Sequence, residues 1–337
     1  MKARPPAIVE ITRGPMVESR HEVDIVVADA GGGLVSVFGE AERPVFPRSS
    51  VKAFQALAVI ESGAADRFGF EERHVALCCA SHHGEDIHVT GATEILAKAG
   101  LTPQCLECGA QLPHLKEDEY RLVRAGEEPG AIHNNCSGKH SGFLAFAVHE
   151  AMPTQGYVEY AHPVQRAIAG IMEEVTGARH GTDNWGIDGC SIPTYAIPLD
   201  ALAKAFARFS VGEGGSAMRG KAMLRIRDAC FAHPEMVGGT GDGSTIIMQA
   251  LKGRAFAKSG AEGGFIAALP EQGLGIALKV RDGGAGRAAE IAVAGLLESL
   301  LELSPNDSST LKRLSNPPVL DRHGKPVGEA RLVLPQS

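Results

Sequence analysis

Phe46-Pro47-Arg48-Ser49-Ser50-Val51-Lys52-Ala53-Phe54 marks the point where one kind of chain gives way to another. Upstream of it the sequence is strand-like. Ala7 to Thr12 and Val23 to Ala28 are short runs rich in Ile and Val, and the turn Gly31-Gly32-Gly33 leads into the alternating run Leu34 to Phe38. Pro44 and Pro47 punctuate the chain, and a helix opens with Ser49 or Ser50 as its N-cap. Phe54, Leu57, Ala58 and Ile60 then keep a helical period until Gly63.

Downstream, periodicity predicts helices at Val89 to Ala99, Gly142 to Ala151, Pro163 to Thr176, Leu199 to Phe209 and Ser216 to Ala232, with Leu101 to His133 irregular and polar. Strand character returns past Gly238, at Ala255 to Lys258, Gly264 to Leu269 and Gly275 to Val280. Thr245 to Met248 reads equally as helix or strand. A last amphipathic helix, Gly286 to Leu303, precedes a Pro-rich polar tail, Ser304 to Ser337, that ends in the strand-like Ala330 to Leu334. Strands at both ends with helices between predict an α/β (α+β) fold. One antiparallel sheet is assembled from both termini, about 1–48 and 238–337, and a helical lobe, about 49–237, is inserted within a single domain. An active site is expected in the seam between them.

Composition narrows the function. A formal net charge of -7 and the absence of any basic block leave no electrostatic footprint for a phosphate backbone, which argues against nucleic-acid binding. Charge, Gly and Pro interrupt every apolar run before it could span a membrane. Met1 to Val9 lacks an apolar region of the kind a signal peptide needs. With seven cysteines and no secretion signal, free thiols or metal ligation are expected rather than a disulfide framework, in a cytoplasmic protein.

Ser49-Ser50-Val51-Lys52 is an S-x-x-K at a predicted helix start, and three residues bring hydroxyl and amine to one side. A serine there sits where backbone dipoles favour an alkoxide, and a desolvated lysine can take its proton. The tetrapeptide is common by chance, and Ser49 could be only a cap. Lys258-Ser259-Gly260, at the end of a C-terminal strand, adds the K-[ST]-G that serine acyl-enzymes of the penicillin-binding type carry beside S-x-x-K. Ala80-Ser81-His82-His83-Gly84-Glu85 follows the apolar run Val75 to Cys79, so Ser81 is placed either to enter the seam or to cap the next helix. Cys136, within His133 to His140, pairs with Asp188-Gly189-Cys190 as a two-thiolate, one-carboxylate set suited to zinc. Cys105-Leu106-Glu107-Cys108 has the commoner metal or redox spacing, and on spacing alone the two sites weigh equally. Gly138-Lys139-His140 completes no phosphate loop, and Gly238 to Gly243 lacks the spacing of a dinucleotide fingerprint, so no nucleotide is expected.

Taken together, Phe46 to Lys52, Cys79 to Glu85, Asn134 to His140, Gly186 to Pro193 and Lys258 to Gly263 closely resemble the rhizobial-type, or class 3, L-asparaginases of the asparaginase II family. The resemblance implies a fold like that of serine β-lactamases and penicillin-binding proteins, a homodimer, and hydrolysis of L-asparagine to L-aspartate and ammonia. It implies two Ser-Lys tandems, Ser49 with Lys52 and Ser81 with Lys258. It also implies a metal site, generally zinc, at Cys136, Lys139, Asp188 and Cys190, which shifts the weight away from Cys105 and Cys108. Charge suggests Arg48 for the substrate's α-carboxylate and Asp188 or Glu262 for its ammonium, with His140 as a further substrate contact. Two other readings share some of these features: a penicillin-recognising or glutaminase-like serine amidohydrolase, and a non-catalytic zinc-binding module that has no need of Ser49.

Overall fold

Val23 to Ala28 is buried at every position, the pattern of a strand covered on both faces, whereas its upstream half, from Met16, reaches solvent. The computed structural model describes residues 4–284 and 287–335. The expected helix start at Gly286 and the end of the tail at Ser337 lie outside them. The chain folds as two units. The first comprises Met1–Ser50, Ile197–Val211 and Ile246–Ser337, and the second Val51–Ala196 and Gly212–Thr245.

The first unit is built on an antiparallel sheet whose strands run, in order, Pro318–Leu320, Pro326–Val333, Ala7–Arg13, Met16–Asp29, Leu274–Val280, Gly264–Leu269 and Phe256–Gly260; Leu34–Phe38 also pairs with Met16–Asp29. Both chain ends enter it, through Ile8 opposite Val333 and Val26 opposite Ala277. The expected assembly of one antiparallel sheet from the two ends is therefore the observed one. Leu199–Val211, read from the sequence as one of the inserted helices, belongs with this sheet instead. Its small residues explain the close seat. A Cβ on Gly275 would lie 2.1 Å from the carbonyl oxygen of Ala203 and 2.1 Å from the amide nitrogen of Ala207, so only hydrogen fits where helix meets strand.

One element departs from the sequence reading, and one ambiguous run is decided. The tail contains the helix Pro305–Ser315, whose Ser304 side chain accepts from the Asp307 amide at 3.2 Å with Pro305 in the first turn. The ambiguous Thr245 to Met248 run lies in the helix Gly243–Leu251.

The second unit is helical. Its central helix, Ser137–His149, is buried from Ser137 to Ala147, and glycines let a neighbour approach: a Cβ on Gly138 would meet the Leu77 carbonyl at 2.5 Å. That neighbour is the helix Glu72–Cys78. Lys116–Ala125 is a helix within the stretch read as irregular, with Glu117, Asp118 and Glu119 in its first turn and a left-handed Gly126 after its last. Trp185–Ile187 and Pro193–Tyr195 form a short antiparallel hairpin. No helix among the described residues is long and apolar enough to cross a membrane.

Candidate active site

The expected serine cap does not form. Arg48–Val51 is a 3-10 turn, the α-helix starts at Lys52, and the residue before it, Val51, caps with no side chain. Ser50 donates instead to the Pro47 carbonyl oxygen at 2.8 Å, its amide bonding the same atom at 3.2 Å. Ser49 lies within this turn, and Lys52 follows it directly as the first residue of the α-helix. Arg48 holds φ at +52°, a conformation that strains any residue with a side chain.

In the second unit Lys52 is 1% exposed. Its Nζ donates to the Ala80 carbonyl oxygen, to Ser81 Oγ at 2.9 Å and to Cys136 Sγ at 3.0 Å. The Ser81 segment is fixed by its backbone: Ser81 N donates to Val237 O at 2.9 Å and His82 N to Asn135 O at 3.0 Å. His82 Nδ1 accepts from Gly84 N at 3.1 Å, which leaves the ring proton on Nε2, 2.9 Å from Ser137 Oγ. The histidine thus ties the serine loop to the start of the central helix.

That helix carries Lys139, 1% exposed, whose Nζ donates to Cys190 Sγ at 3.0 Å. Cys136 and Cys190 are themselves hydrogen-bonded. The bond from Cys190 holds the Cys136 thiol well below its ordinary range against the cost of burial, and Lys52 and Lys139 add to the lowering. For Cys190 the same bond, then burial, pushes the thiol up, so the pair shares one thiolate. Burial works against the Lys139 charge, but Cys190 and Cys136 outweigh it and hold the ammonium above its usual value, with Asp188 assisting. The turn that presents Asp188 and Cys190 is tight, with Asp188 N bonded to Ile192 O at 2.8 Å and Ser191 at φ +74°. Two sulfurs are donors that suit zinc, whereas the Lys139 nitrogen could join them only after releasing its proton. Among the described residues no three His, Cys, Asp or Glu side chains form such a set by themselves; the lysine is what fills it out. Cys108 is different in kind. Burial pushes its thiol to about 12, and it donates to the Ala131 carbonyl at 3.4 Å.

His140 is fully buried. The Tyr157 hydroxyl accepts from Glu107 N at 3.0 Å and lies 2.8 Å from His140 Nδ1, so its proton is directed at the ring. Burial first, then the Lys139 and Lys52 charges, keeps that ring neutral.

The first unit holds the other motif. Lys258-Ser259-Gly260 ends its strand as expected, Lys258 is 1% exposed, and its Nζ donates to Ser259 O at 3.1 Å. A Cβ on Gly260 would lie 2.6 Å from the Pro47 carbonyl and 3.4 Å from Ser50 N, so this strand end lies directly beneath the turn that carries Ser49. Gly260→Ala should therefore displace that turn, costing about 1–3 kcal/mol of stability and lowering activity more than an equally destabilising change elsewhere in the sheet. Urea unfolding and turnover measured together check this. Glu262, just past the motif, holds φ at +58°. Of five non-glycine residues with positive φ among those described, Arg48, Ser191 and Glu262 adjoin motif residues in the sequence.

The L-asparaginase II family model matches residues 9–332. The chain belongs to the L-asparaginase II family. Among solved structures, Mglu in its native form in the presence of 4.3M NaCl is similar at 15% identity and a TM-score of 0.46, over 83% of this chain and 61% of that one. The chain thus spans about three fifths of Mglu. EstCE1, a hydrolase with promiscuous acyltransferase activity, is 13% identical over 79% of this chain and 90% of that one, at a TM-score of 0.40. A beta-lactamase from Mycobacterium bovis is 14% identical over 83% and 95%, at 0.31. The assignment to the L-asparaginase II family rests on the family match and not on these. No curated protein matches the chain.

Two residues near the motif residues escaped the sequence reading. Tyr157, which orients His140, lies in a Gly/Thr/Gln segment with no periodic signal. Lys279 interrupts the apolar strand Leu274–Val280, and a lone lysine in such a run was the visible sign.

Proposed function

We propose that this protein hydrolyses L-asparagine to L-aspartate and ammonia through an acyl-enzyme on Ser49. Lys52 first passes one proton to the Cys136 thiolate it bonds, and Ser49 Oγ then attacks the side-chain amide carbon as the freed Lys52 nitrogen takes the serine's proton. The C–N bond then breaks, ammonia leaves carrying a proton returned by the lysines, and water hydrolyses the aspartyl ester to free acid and serine. Ser81 and Lys258 pass protons, Arg48 receives the α-carboxylate, and Asp188 or Glu262 the ammonium. His140 would contribute Nε2, which has no partner among the described residues. The observation that carries this reading is Lys52. It is a buried amine one turn from Ser49, bonded to a carbonyl, a hydroxyl and a thiol. We also assign the protein to the cytoplasm, as a homodimer that takes a small-molecule substrate and no nucleotide.

The 2.9 Å bond from Lys52 to Ser81 favours a second reading, in which Ser81 is acylated and Ser49 relays. Ammonia release from asparagine and glutamine, a chromogenic β-lactam, and mass spectrometry of the trapped ester separate these cases. An ester on neither serine ends both.

Cys136, Lys139, Asp188 and Cys190 would hold zinc, which when bound supplies positive charge to orient and polarise the substrate. Lys139 is held protonated, so it must release its proton before its nitrogen can ligate. Zinc binding is therefore expected to release protons and to weaken as pH falls, by about a decade per pH unit or more. Calorimetry in two buffers of different ionisation enthalpy reads this directly. A binding heat that does not depend on the buffer would remove Lys139 from the ligand set.

A further inference from the structure

Lys279 is the one incompletely buried residue between Gly275 and Val280. In register it stands opposite Gly264, which stands opposite Gly260, while Lys258 aligns through Ile266 with Ala277. Residues directly opposite share a face and alternate residues return to it, so Lys258 and Lys279 lie on the same side of the sheet. That side is the one the Ser49 turn covers. Cβ atoms built on Gly260 and Gly264 both point at the Pro47 carbonyl, at 2.6 and 3.8 Å. The two glycines clear the row between the lysines, and Arg48 comes near enough for its charge to act on Lys279.

Charges of both signs act on Lys279 there. Lys279 Nζ donates to the Glu262 carbonyl oxygen, and the Glu262 carboxylate attracts it, while Arg43 and Arg48 both repel it. Arg43 is answered by Asp24 at 2.8 Å. Burial is the largest cause that lowers the Lys279 pKa, ahead of those two cations and against Glu262. An ammonium so placed is stabilised by an incoming anion. An asparagine whose amide carbon sits at Ser49 carries its α-carboxylate only a few bonds away.

We propose that Lys279 is a specificity-determining residue which, together with Arg48, receives the α-carboxylate of the amino-acid amide. The inference rests on the asparaginase reading above and deepens it, since Arg48 alone would hold any anion at its own height above the sheet. Lys279 fixes where along the sheet the carboxylate must lie, and so how far the scissile amide sits from it.

The test uses L-asparagine and β-alaninamide, which is asparagine without its α-carboxylate. Lys279→Met should raise KM for asparagine about 10- to 100-fold with kcat within about threefold, and leave kcat/KM for β-alaninamide unchanged. Lys279→Arg should recover most of the loss. A role confined to holding the Glu262 turn would lower kcat on both amides alike, and that result, or an unchanged KM, overturns the proposal. Lys279→Gln, which keeps a donor for the Glu262 carbonyl, is measured alongside so that a folding defect in the methionine variant leaves the comparison standing. A wild-type protein that releases no ammonia from asparagine removes the function and this inference together. An active wild type with an unselective Lys279 variant removes the inference alone.

Discussion

Ser49→Ala should lower kcat for asparagine by roughly ten-thousandfold or more while leaving the urea midpoint unchanged. The size follows from the role. A nucleophile that forms a covalent intermediate has no substitute, and residual turnover comes only from binding and polarisation. Local structure supplies the controls. Ser50 is adjacent and 2% exposed, but its hydroxyl is spent on Pro47 O. Ser50→Ala should therefore cost about 1 kcal/mol of stability and little turnover. Ser81→Ala removes the acceptor of the 2.9 Å bond from Lys52. Under the leading reading it loses about 100- to 1,000-fold, as proton relays do, and the ester still forms on Ser49. Under the second reading the two serines exchange their losses. A Ser49→Ala enzyme within tenfold of wild type would sink the nucleophile assignment whatever Ser81 does.

The sheet was legible because its central strands are buried on both faces, which leaves Gly264 to Leu269 as an apolar run and Val23 to Ala28 as one broken only by Asp24. The tail helix was not, because Pro305-Asn306-Asp307-Ser308-Ser309-Thr310 has poor intrinsic propensity. Its cap at Ser304 and the burial of Leu311 hold it. Lys116–Ala125 was missed for the opposite reason: good helix formers are present, but only Leu122 is buried, so no apolar period shows. At the site, the motif residues could be found by type and order, yet their partners could not. Lys52 reaching Cys136, 84 positions away, is a tertiary fact that no local spacing encodes. Nor does the sequence say that Ser49 lies within a 3-10 turn, a choice made by the strained Arg48 and by Ser50 bonding backward to Pro47.

Asp24→Asn should destabilise the first unit by about 3 kcal/mol and flatten its acid unfolding limb. Asp24 stands opposite Lys279 in the sheet, and its side chain is fully buried. It accepts from Arg281 at 2.7 Å, Arg43 at 2.8 Å and the Glu40 amide at 3.0 Å. Burial alone would raise its pKa. The Arg281 bond, the Glu40 amide and Arg43 outweigh burial, and the carboxyl is held below its ordinary 3.8. A carboxyl with a depressed folded pKa contributes stability that is complete above the unfolded pKa, here near 4, and is lost as pH falls through the folded value. Wild type should therefore lose this contribution only below about pH 4, and the asparagine variant should lack it at every pH. Both guanidiniums are partly exposed, Arg43 by 31% and Arg281 by 28%, and Arg281 keeps Glu22 and Glu40. Water and those carboxylates therefore soften the loss, which is why the figure sits at the low end for a broken buried pair. Urea unfolding at pH 7 and pH 3.5 gives both numbers. A variant as stable as wild type at pH 7 would mean that the three donors find solvent as good a partner as Asp24, and that the row leading from Asp24 to Lys279 is held by the sheet alone.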